Sequence, residues 1–290
     1  MDFLTRLKSG RPIVADGAMG TMLQAAGLPP GKTGEFWVIE QPEAVAAVHR
    51  AYVEAGADLI LTCTFGGTRP RLARSGLADR VAEVNRRAVE IARGAAAGRA
   101  FVAGDIGPLG ELLAPLGKRT YEEAVELFAE QAAALAEAGV DVLYIETMSA
   151  LEEARAAVEG ARRVAPHLPI TVTFSFDTHG RTNMGVRPEQ VSRAAQEWGV
   201  AAFGANCGAT LEMTEEALQK MRATAPDAVL IAKPNAGLPR MVEGKPVYDA
   251  TPEVMADFAA RAAALGARII GGCCGSTPAH IQAIVRRLAP

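Results

Sequence analysis

The sequence predicts a single (β/α)8 barrel, the TIM-barrel fold, formed by residues 1–290 as one domain. Eight short apolar runs recur along the chain, and an amphipathic stretch of helical length follows each of them. No change of composition divides the chain into two parts. An open, doubly wound sheet is the structural alternative, but it would need fewer units or a visible boundary, and neither is present.

The strands are predicted where Val, Ile, Leu and Ala dominate short runs, as is typical of parallel strands covered on both faces. In chain order these runs are 13–15, 59–63, 101–104, 142–145, 170–174, 202–205, 229–232 and 268–271. The Ala-rich stretches between them predict helices at 42–55, 79–95, 120–138, 150–164, 187–198, 211–223, 252–265 and 278–288. Start and stop signals support several helices: Thr120 precedes two glutamates, Thr277 precedes a proline, and Gly139 follows a last turn.

Two longer stretches, 18–41 and 106–119, show neither pattern and are predicted to be loops without regular structure. Each follows the carboxyl end of a predicted strand, which is the end of a barrel where binding and catalytic residues are placed. These loops are therefore expected to border a functional site.

Composition and charge exclude several classes of protein. Apolar residues make up 49% of the chain and charged residues 22%, which excludes wholesale disorder. The formal net charge of −3 argues against a nucleic-acid partner bound through bulk positive charge. No apolar run approaches the ~20 residues that span a bilayer, and residues 1–11 lack the apolar core of a signal peptide. A cytoplasmic protein without a membrane partner is expected.

Four cysteines are too few for a disulfide framework and, in a reducing compartment, are more often used for metal binding or chemistry. Cys207 follows predicted strand 6, and Cys273 and Cys274 follow predicted strand 8. Residues at one height on alternate strands of a barrel share a layer, so three sulfurs could meet above strand 7. Glycines on both sides of the cysteine pair allow the bend that turns both side chains to one point.

Three thiolates with one open position suit Zn²⁺. Asn235, which follows strand 7, could add a weak oxygen ligand that substrate displaces, whereas the histidines, His280 among them, are expected to lie elsewhere. Cys63, which ends strand 2, is interpreted as a small buried hydrophobic residue. Simple packing, or a disulfide between Cys273 and Cys274, remains the structural alternative for the other cysteines.

A zinc ion with three thiolate ligands is suited to binding a substrate thiol. A free thiol with a pKa of ~8.5 is only slightly ionised at neutral pH, whereas a metal-bound thiol is deprotonated. The reaction expected from this site is therefore alkyl transfer to sulfur.

Five segments resemble motifs of the homocysteine S-methyltransferase family, and together they extend from strand 1 to the last helix. They are 16–21, 145–147, 204–208, 234–239 and 271–280. The segments 234–239 and 275–278 are most similar to the homocysteine-binding module of cobalamin-dependent methionine synthases. One departure is Cys63, which stands in a Thr-x-Thr-Phe motif where that module usually has Asn.

The resemblance implies a (β/α)8 methyltransferase with homocysteine as the acceptor and with Cys207, Cys273 and Cys274 as zinc ligands. It also implies that Asp16 and Glu146 face the ammonium group of the substrate, which agrees with their positions at strand ends. The other predicted substrate contacts are the glycine turn after strand 1, Thr64 and Asn235; the turn supplies Gly17, Met19 and Gly20.

The sequence contains no motif for a methyl donor, so the donor is expected to be external, such as methylcobalamin on a corrinoid protein or a methyltetrahydrofolate system. A different thiol acceptor, or a methylated amine or sulfonium donor, is the enzymatic alternative. A zinc-storage or redox-sensing protein, or a substrate-binding subunit of a corrinoid complex, would use the same sulfurs.

Overall fold

The computed structural model describes residues 1–177, 179–208, 210–238, 240–242 and 245–289, without the side chains of Lys245 and Pro246. Position 239 of the 234–239 motif therefore lies outside the described residues. The strands are β1 (Ile13–Val14), β2 (Leu59–Leu61), β3 (Phe101–Ile106), β4 (Val142–Met148), β5 (Ile170–Phe174), β6 (Ala202–Cys207), β7 (Leu230–Pro234), β8 (Arg240–Val242), β9 (Lys245–Val247) and β10 (Ala267–Ile270).

Eight of these strands form one parallel sheet in the order β1-β10-β7-β6-β5-β4-β3-β2, and β8 pairs with β9 as an antiparallel hairpin. The backbone bridge between Ala15 and Leu59 joins the two outer strands of this order. The sheet therefore closes into a barrel, and the predicted (β/α)8 fold is confirmed.

Helices cover the outside of the barrel. They are α1 (Phe3–Lys8), α2 (Gly20–Ala25), α3 (Gly34–Glu40), α4 (Pro42–Glu54), α5 (Arg69–Ala73), α6 (Val81–Ala96), α7 (Tyr121–Glu137), α8 (Leu151–Val164), α9 (Pro188–Trp198), α10 (Leu211–Thr224), α11 (Pro252–Ala264) and α12 (Pro278–Leu288). The predicted start of α7 is confirmed by a capping box, in which Thr120 and Glu123 each accept a hydrogen bond from the other's backbone N–H. Among the described residues, no helix has the length and apolar content needed to cross a membrane.

Strand side chains alternate between two apolar layers, as the two-residue period of a strand requires. In β4, Val142 and Tyr144 belong to the cluster inside the barrel, whereas Leu143 and Ile145 belong to the cluster between sheet and helices. The next inward position of β4 is therefore Glu146, at the carboxyl end of the barrel.

The prediction of unstructured loops was wrong for residues 18–41, which contain α2 and α3. These helices have six and seven residues, too few to show a clear helical period. Residues 107–119 contain no helix, and their one regular feature is a bridge between Leu113 and Arg119. Helices α1 and α5 and the β8–β9 hairpin were not predicted.

Candidate metal and substrate site

Cys207, Cys273 and Cys274 meet at the carboxyl end of the barrel, as predicted, and are called the sulfur cluster here. Their Sγ atoms all lie within 4.8 Å of one another, and the Sγ atoms of Cys207 and Cys273 are 2.8 Å apart. A zinc–thiolate bond of about 2.3 Å places tetrahedral sulfurs somewhat less than ~4 Å apart. The donor set and its spacing therefore fit one zinc ion.

The backbone around Cys207 directs its side chain into the cluster. Cys207 is the last residue of β6 and has φ = +53°, a left-handed conformation that is uncommon for a residue with a Cβ. This conformation is held in place because the N–H of Asn235 donates to the Cys207 carbonyl (3.4 Å) and the N–H of Gly208 donates to Ser175 Oγ (3.2 Å). Such local strain is typical of functional positions.

A glycine turn after β10 presents Cys273 and Cys274 together. The N–H of Cys273 donates to the Pro234 carbonyl (2.7 Å), and Ser276 Oγ donates to the Cys273 carbonyl (2.6 Å). Gly275 has φ = +78°, and a Cβ at this position would collide with the Tyr248 ring. The bend that lets two adjacent cysteines face one point therefore requires glycine.

Asn235 connects the two cysteine loops. Its Nδ2 donates to the Gly208 carbonyl (2.9 Å), and its Oδ1 accepts from the N–H of Cys274 (3.0 Å). Asn235 does not line the cavity described below. Its amide braces the sulfur cluster, and the substrate contact expected from the sequence stays a prediction.

No histidine among the described residues joins the sulfur cluster. His280 lies outside the sulfur cluster, as expected, but close to it, because it is the third residue of α12, which begins shortly after the cysteine turn. Its Nδ1 lies 3.1 Å from the N–H of Thr277 and its Nε2 lies 2.9 Å from the Ala250 carbonyl. Both ring nitrogens are engaged, so His280 caps its helix.

Hydrogen bonds within the cluster determine which thiol ionises. The thiols of Cys207 and Cys273 lower the pKa of Cys274 to about 3, while the same contacts raise the pKa of Cys207 well above its ordinary value. A dication would favour ionisation of all three, which is the chemistry expected of a zinc site.

A cavity of about 350 Å³ opens above the sulfur cluster and is bordered by the loops after β1 and β2. The predicted contacts Gly17, Met19 and Gly20 line it, and the backbone N–H groups of Gly17 and Met19 have no acceptor among the described residues. Thr64 does not line the cavity, because its hydroxyl donates to the Asp105 carbonyl (2.7 Å) beneath it. The substrate contact predicted for Thr64 stays a prediction.

Four charged residues form the floor of the cavity, and we call them the acidic layer: Asp16, Asp105, Glu146 and Lys233. Asp16 Oδ1 accepts from Lys233 Nζ (2.9 Å) and its Oδ2 accepts from the N–H of Leu61 (2.8 Å). Burial disfavours the ammonium of Lys233, but Asp16, Tyr144 and Glu146 attract it and hold its pKa above the ordinary value. Burial raises the pKa of Asp16 against the opposing effect of Lys233.

Glu146 is the member of the acidic layer that shares a neighbour, Asn206, with the sulfur cluster. Asn206 Nδ2 approaches Glu146 Oε2 (3.5 Å) and Cys273 Sγ (4.0 Å) and donates to Thr147 Oγ1 (2.6 Å). Burial raises the pKa of Glu146 to about 8, and the negative charge of Cys273 adds to this effect, whereas Lys233 opposes it. A cation bound beside this carboxyl group would therefore favour its ionisation.

Asp105 is the third carboxylate of the layer. Its backbone N–H donates to Thr62 Oγ1 (3.0 Å), and its carbonyl accepts from Gln131 Nε2 (3.1 Å). Its Oδ1 atom is buried without a hydrogen-bond partner among the described residues. Burial, with Glu146 as the next cause, raises the pKa of Asp105 well above its ordinary value.

The sequence analysis did not identify Asp105, Lys233 or Tyr248 as site residues. Tyr248 lies beside Cys274, and burial together with that thiol raises its pKa to about 12. Asp105 and Lys233 carried the same signal as Asp16 and Glu146, namely a charge at the end of an apolar run.

A second depression, of about 400 Å³, lies at the opposite end of the barrel, between α1 and the start of β5. Its charged lining residues are Lys8 and Arg162, and Arg162 donates to the Trp198 carbonyl. It contains no carboxylate, cysteine or histidine, so the cavity at the carboxyl end is the candidate site.

A family model described as homocysteine S-methyltransferase matches residues 13–288. The methionine synthase of Mycobacterium tuberculosis is 33% identical over 300 residues, which cover 97% of this chain and 25% of that protein. The methionine synthase of Mycobacterium leprae is 32% identical over 296 residues, covering 96% of this chain and 24% of that protein. The chain thus spans about a quarter of the length of these curated relatives.

Crystal structures of the homocysteine methyltransferase MmuM from Escherichia coli share the fold. The metallated form matches with a TM-score of 0.81 at 29% identity and covers 98% of each chain. The oxidized form matches with a TM-score of 0.80 at 28% identity and covers 97% of each chain.

Proposed function

The chain belongs to the homocysteine S-methyltransferase family, and from this premise we propose that it methylates homocysteine to methionine in a zinc-dependent reaction. The observation that carries the proposal is the convergence of the three Sγ atoms within 4.8 Å at the floor of a cavity. Support also comes from MmuM, a homocysteine methyltransferase whose structure includes a metallated form.

Cys207, Cys273 and Cys274 would hold the zinc ion. A zinc ion in this site supplies the Lewis acidity that keeps a substrate thiol ionised at neutral pH. The surrounding residues set the positions of the three sulfurs. Asn235 joins both cysteine loops, and Gly275 allows the turn that follows Cys274. The acceptor sulfur would bind beside these cysteines, within reach of an external donor.

The amino-acid part of homocysteine would be held by the opposite wall of the cavity. Glu146 and Asp16 are the proposed partners of its ammonium group, since both are buried carboxylates on the cavity floor. The free N–H groups of Gly17 and Met19, in the turn that continues to Gly20, are the proposed donors to its carboxylate.

The methyl group would come from an external donor, either methylcobalamin on a corrinoid protein or a methyltetrahydrofolate system. The two mycobacterial relatives are methionine synthases, of which this chain spans about a quarter. A methylated amine or sulfonium donor is the alternative. The cytoplasmic location expected from the sequence stays a prediction.

The test combines metal analysis with a methyl-transfer assay from methylcobalamin to homocysteine. We expect the wild type to bind one zinc ion and to form methionine, and Cys207→Ala to lose both properties. Cys63→Ala is the matched control for zinc binding, because Cys63 is buried and lines the same cavity but does not belong to the sulfur cluster. Zinc retention by Cys207→Ala, or methionine formation without metal, would contradict the proposal.

A further inference from the structure

We propose that Asp105 is a binding residue for the ammonium group of the acceptor thiol and that it acts together with Glu146. The proposal rests on the proposed function, because it names the group that recognises the amino-acid end of that acceptor. It adds a residue outside the motifs that identify the family.

The strand geometry places Asp105 beside Glu146. Asp105 pairs with Tyr144 in the register of β3 and β4, and it lies two residues after the inward-facing Ala103. Glu146 lies two residues after Tyr144 on the neighbouring strand. Both carboxylates therefore face the barrel interior at adjacent positions, and both line the cavity.

The backbone around Asp105 is held rigidly. Thr62 Oγ1 accepts from its N–H at 3.0 Å, while Thr64 Oγ1 and Gln131 Nε2 donate to its carbonyl at 2.7 and 3.1 Å. The Gln131 amide also donates to the Thr64 carbonyl at 2.8 Å. These contacts satisfy the main chain and leave the side chain free to serve a ligand.

The two aspartates of the acidic layer differ in their partners. Asp16 bonds to the Lys233 ammonium and to the Leu61 N–H. Asp105 is only 5% exposed, and its Oδ1 has no hydrogen-bond partner among the described residues. A buried polar atom without a partner is costly and calls for an explanation. An arriving cation would supply the missing donor.

Charge selects the chemical class of that ligand. The layer has three carboxyl groups and one ammonium; Glu35, Lys32 and Arg71 also line the cavity, and carboxyl groups outnumber cations in this larger set as well. A primary ammonium offers three N–H donors, enough to bond to Asp105 and Glu146 at the same time. The ammonium group of an α-amino acid whose sulfur lies at the cluster fits this requirement.

The test compares two ligands that differ only in the ammonium group. The zinc-loaded protein is titrated calorimetrically, without a methyl donor, with homocysteine and with 4-mercaptobutyrate, which lacks the amino group. We expect the wild type to bind homocysteine about 10–100-fold more tightly, the range typical of a hydrogen bond to a charged group. Equal affinities in the wild type would overturn the proposal without any variant.

Asp105→Asn then tests the residue itself. We expect this change to weaken homocysteine binding by about tenfold or more and to leave 4-mercaptobutyrate binding and zinc content unchanged. Glu153→Gln is the matched control: Glu153 is also buried and bonds to the Leu109 N–H (2.9 Å), but it does not line the cavity. The Glu153→Gln variant should keep the wild-type preference for homocysteine over 4-mercaptobutyrate.

Two outcomes would overturn the proposal: an equal loss for both ligands, which assigns Asp105 to the framework, or no loss for either. The titration is separate from catalysis. A protein that prefers homocysteine but does not transfer a methyl group contradicts the proposed function and supports this inference. A protein that transfers a methyl group but binds both ligands equally contradicts this inference and supports the proposed function.

Discussion

The sulfur cluster and the acidic layer line the same cavity, yet different interactions hold them in place. Around the sulfurs, the geometry comes from backbone conformation: φ is +53° at Cys207 and +78° at Gly275, and the Asn235 amide joins the loops. In the acidic layer the backbone is irregular only around Glu146, where Thr147 has φ = +59° and the β4–β5 register shifts, and the main constraint is the balance of charge around Lys233. Substitutions that alter the backbone should therefore damage the sulfur cluster most, and substitutions that alter charge should damage the acidic layer most.

The largest expected effect is in the acidic layer. Lys233→Met leaves Asp16 buried without its cation, and loss of one partner of a buried ion pair typically costs about 3–5 kcal/mol. We expect the free energy of unfolding, measured by urea denaturation at pH 7, to fall by this amount.

The loss of unfolding free energy caused by Lys233→Met should depend on pH. Burial raises the pKa of Asp16 above its unfolded value, and loss of Lys233 raises this pKa further. The protonated carboxyl group of Asp16 therefore stabilises the fold fully at a pH below its unfolded pKa of about 4. This stabilisation is lost as the pH rises. We therefore expect a smaller deficit at pH 4.5 than at pH 8, and an equal deficit at both would contradict the assignment.

Gly275→Ala should show that the sulfur cluster depends on backbone geometry. The left-handed φ and the collision with Tyr248 together are expected to cost about 2–3 kcal/mol and to reduce zinc affinity. Gly76→Ala is the control, because Gly76 has φ = +75° but no atom within 4 Å of an added Cβ. Equal zinc loss in both variants would show that the turn does not matter.

Glu146→Gln should have a smaller effect, and one that depends on pH. The folded pKa of about 8 lies above the reference value of 4.5, so the stability contributed by Glu146 is complete below 4.5 and is lost as the pH rises through 8. We expect the metal-free variant to lose less stability than the wild type between pH 5 and pH 8. Parallel pH profiles from urea denaturation would contradict a buried, protonated Glu146.

The smallest effect is expected at the surface. Arg163 makes two hydrogen bonds to Glu126 (2.7 and 2.8 Å), but both side chains are exposed and solvent screens their attraction. We expect Arg163→Met to leave the urea midpoint unchanged within error. A shift as large as that of Lys233→Met would mean that burial does not set the strength of ion pairs in this protein.

The sequence predicted the barrel and the sulfur cluster because both follow from strand periodicity. Eight apolar runs imply eight strands, and cysteines that follow alternate strands of a barrel belong to one layer. That inference located Cys207, Cys273 and Cys274 without any knowledge of the loops. It did not reveal the bracing role of Asn235, because side-chain hydrogen bonds between loops depend on their three-dimensional path.

The acidic layer was only half predicted, because two of its four charged residues lie outside the segments that resemble family motifs. Strands 1, 3, 4 and 7 were predicted to end at 15, 104, 145 and 232, one residue before each charge, whereas β3 continues to Ile106 and β7 to Pro234. Asp16 and Glu146 lie in such segments, and Asp105 and Lys233 do not. Continuing the alternation of inward and outward side chains one residue beyond the predicted ends of strands 3 and 7 would have placed Asp105 and Lys233 inside the barrel.

Helix α1 packs Phe3 and Leu7 against the amino ends of the strands, with the rings of Phe3 and Phe101 5.7 Å apart. The exposed Met1 therefore emerges at the pole opposite the cavity. A tether attached there would immobilise the protein on a sensor surface with its opening turned toward the flowing solution. Thiol exchange could then be followed in real time without blocking the entrance.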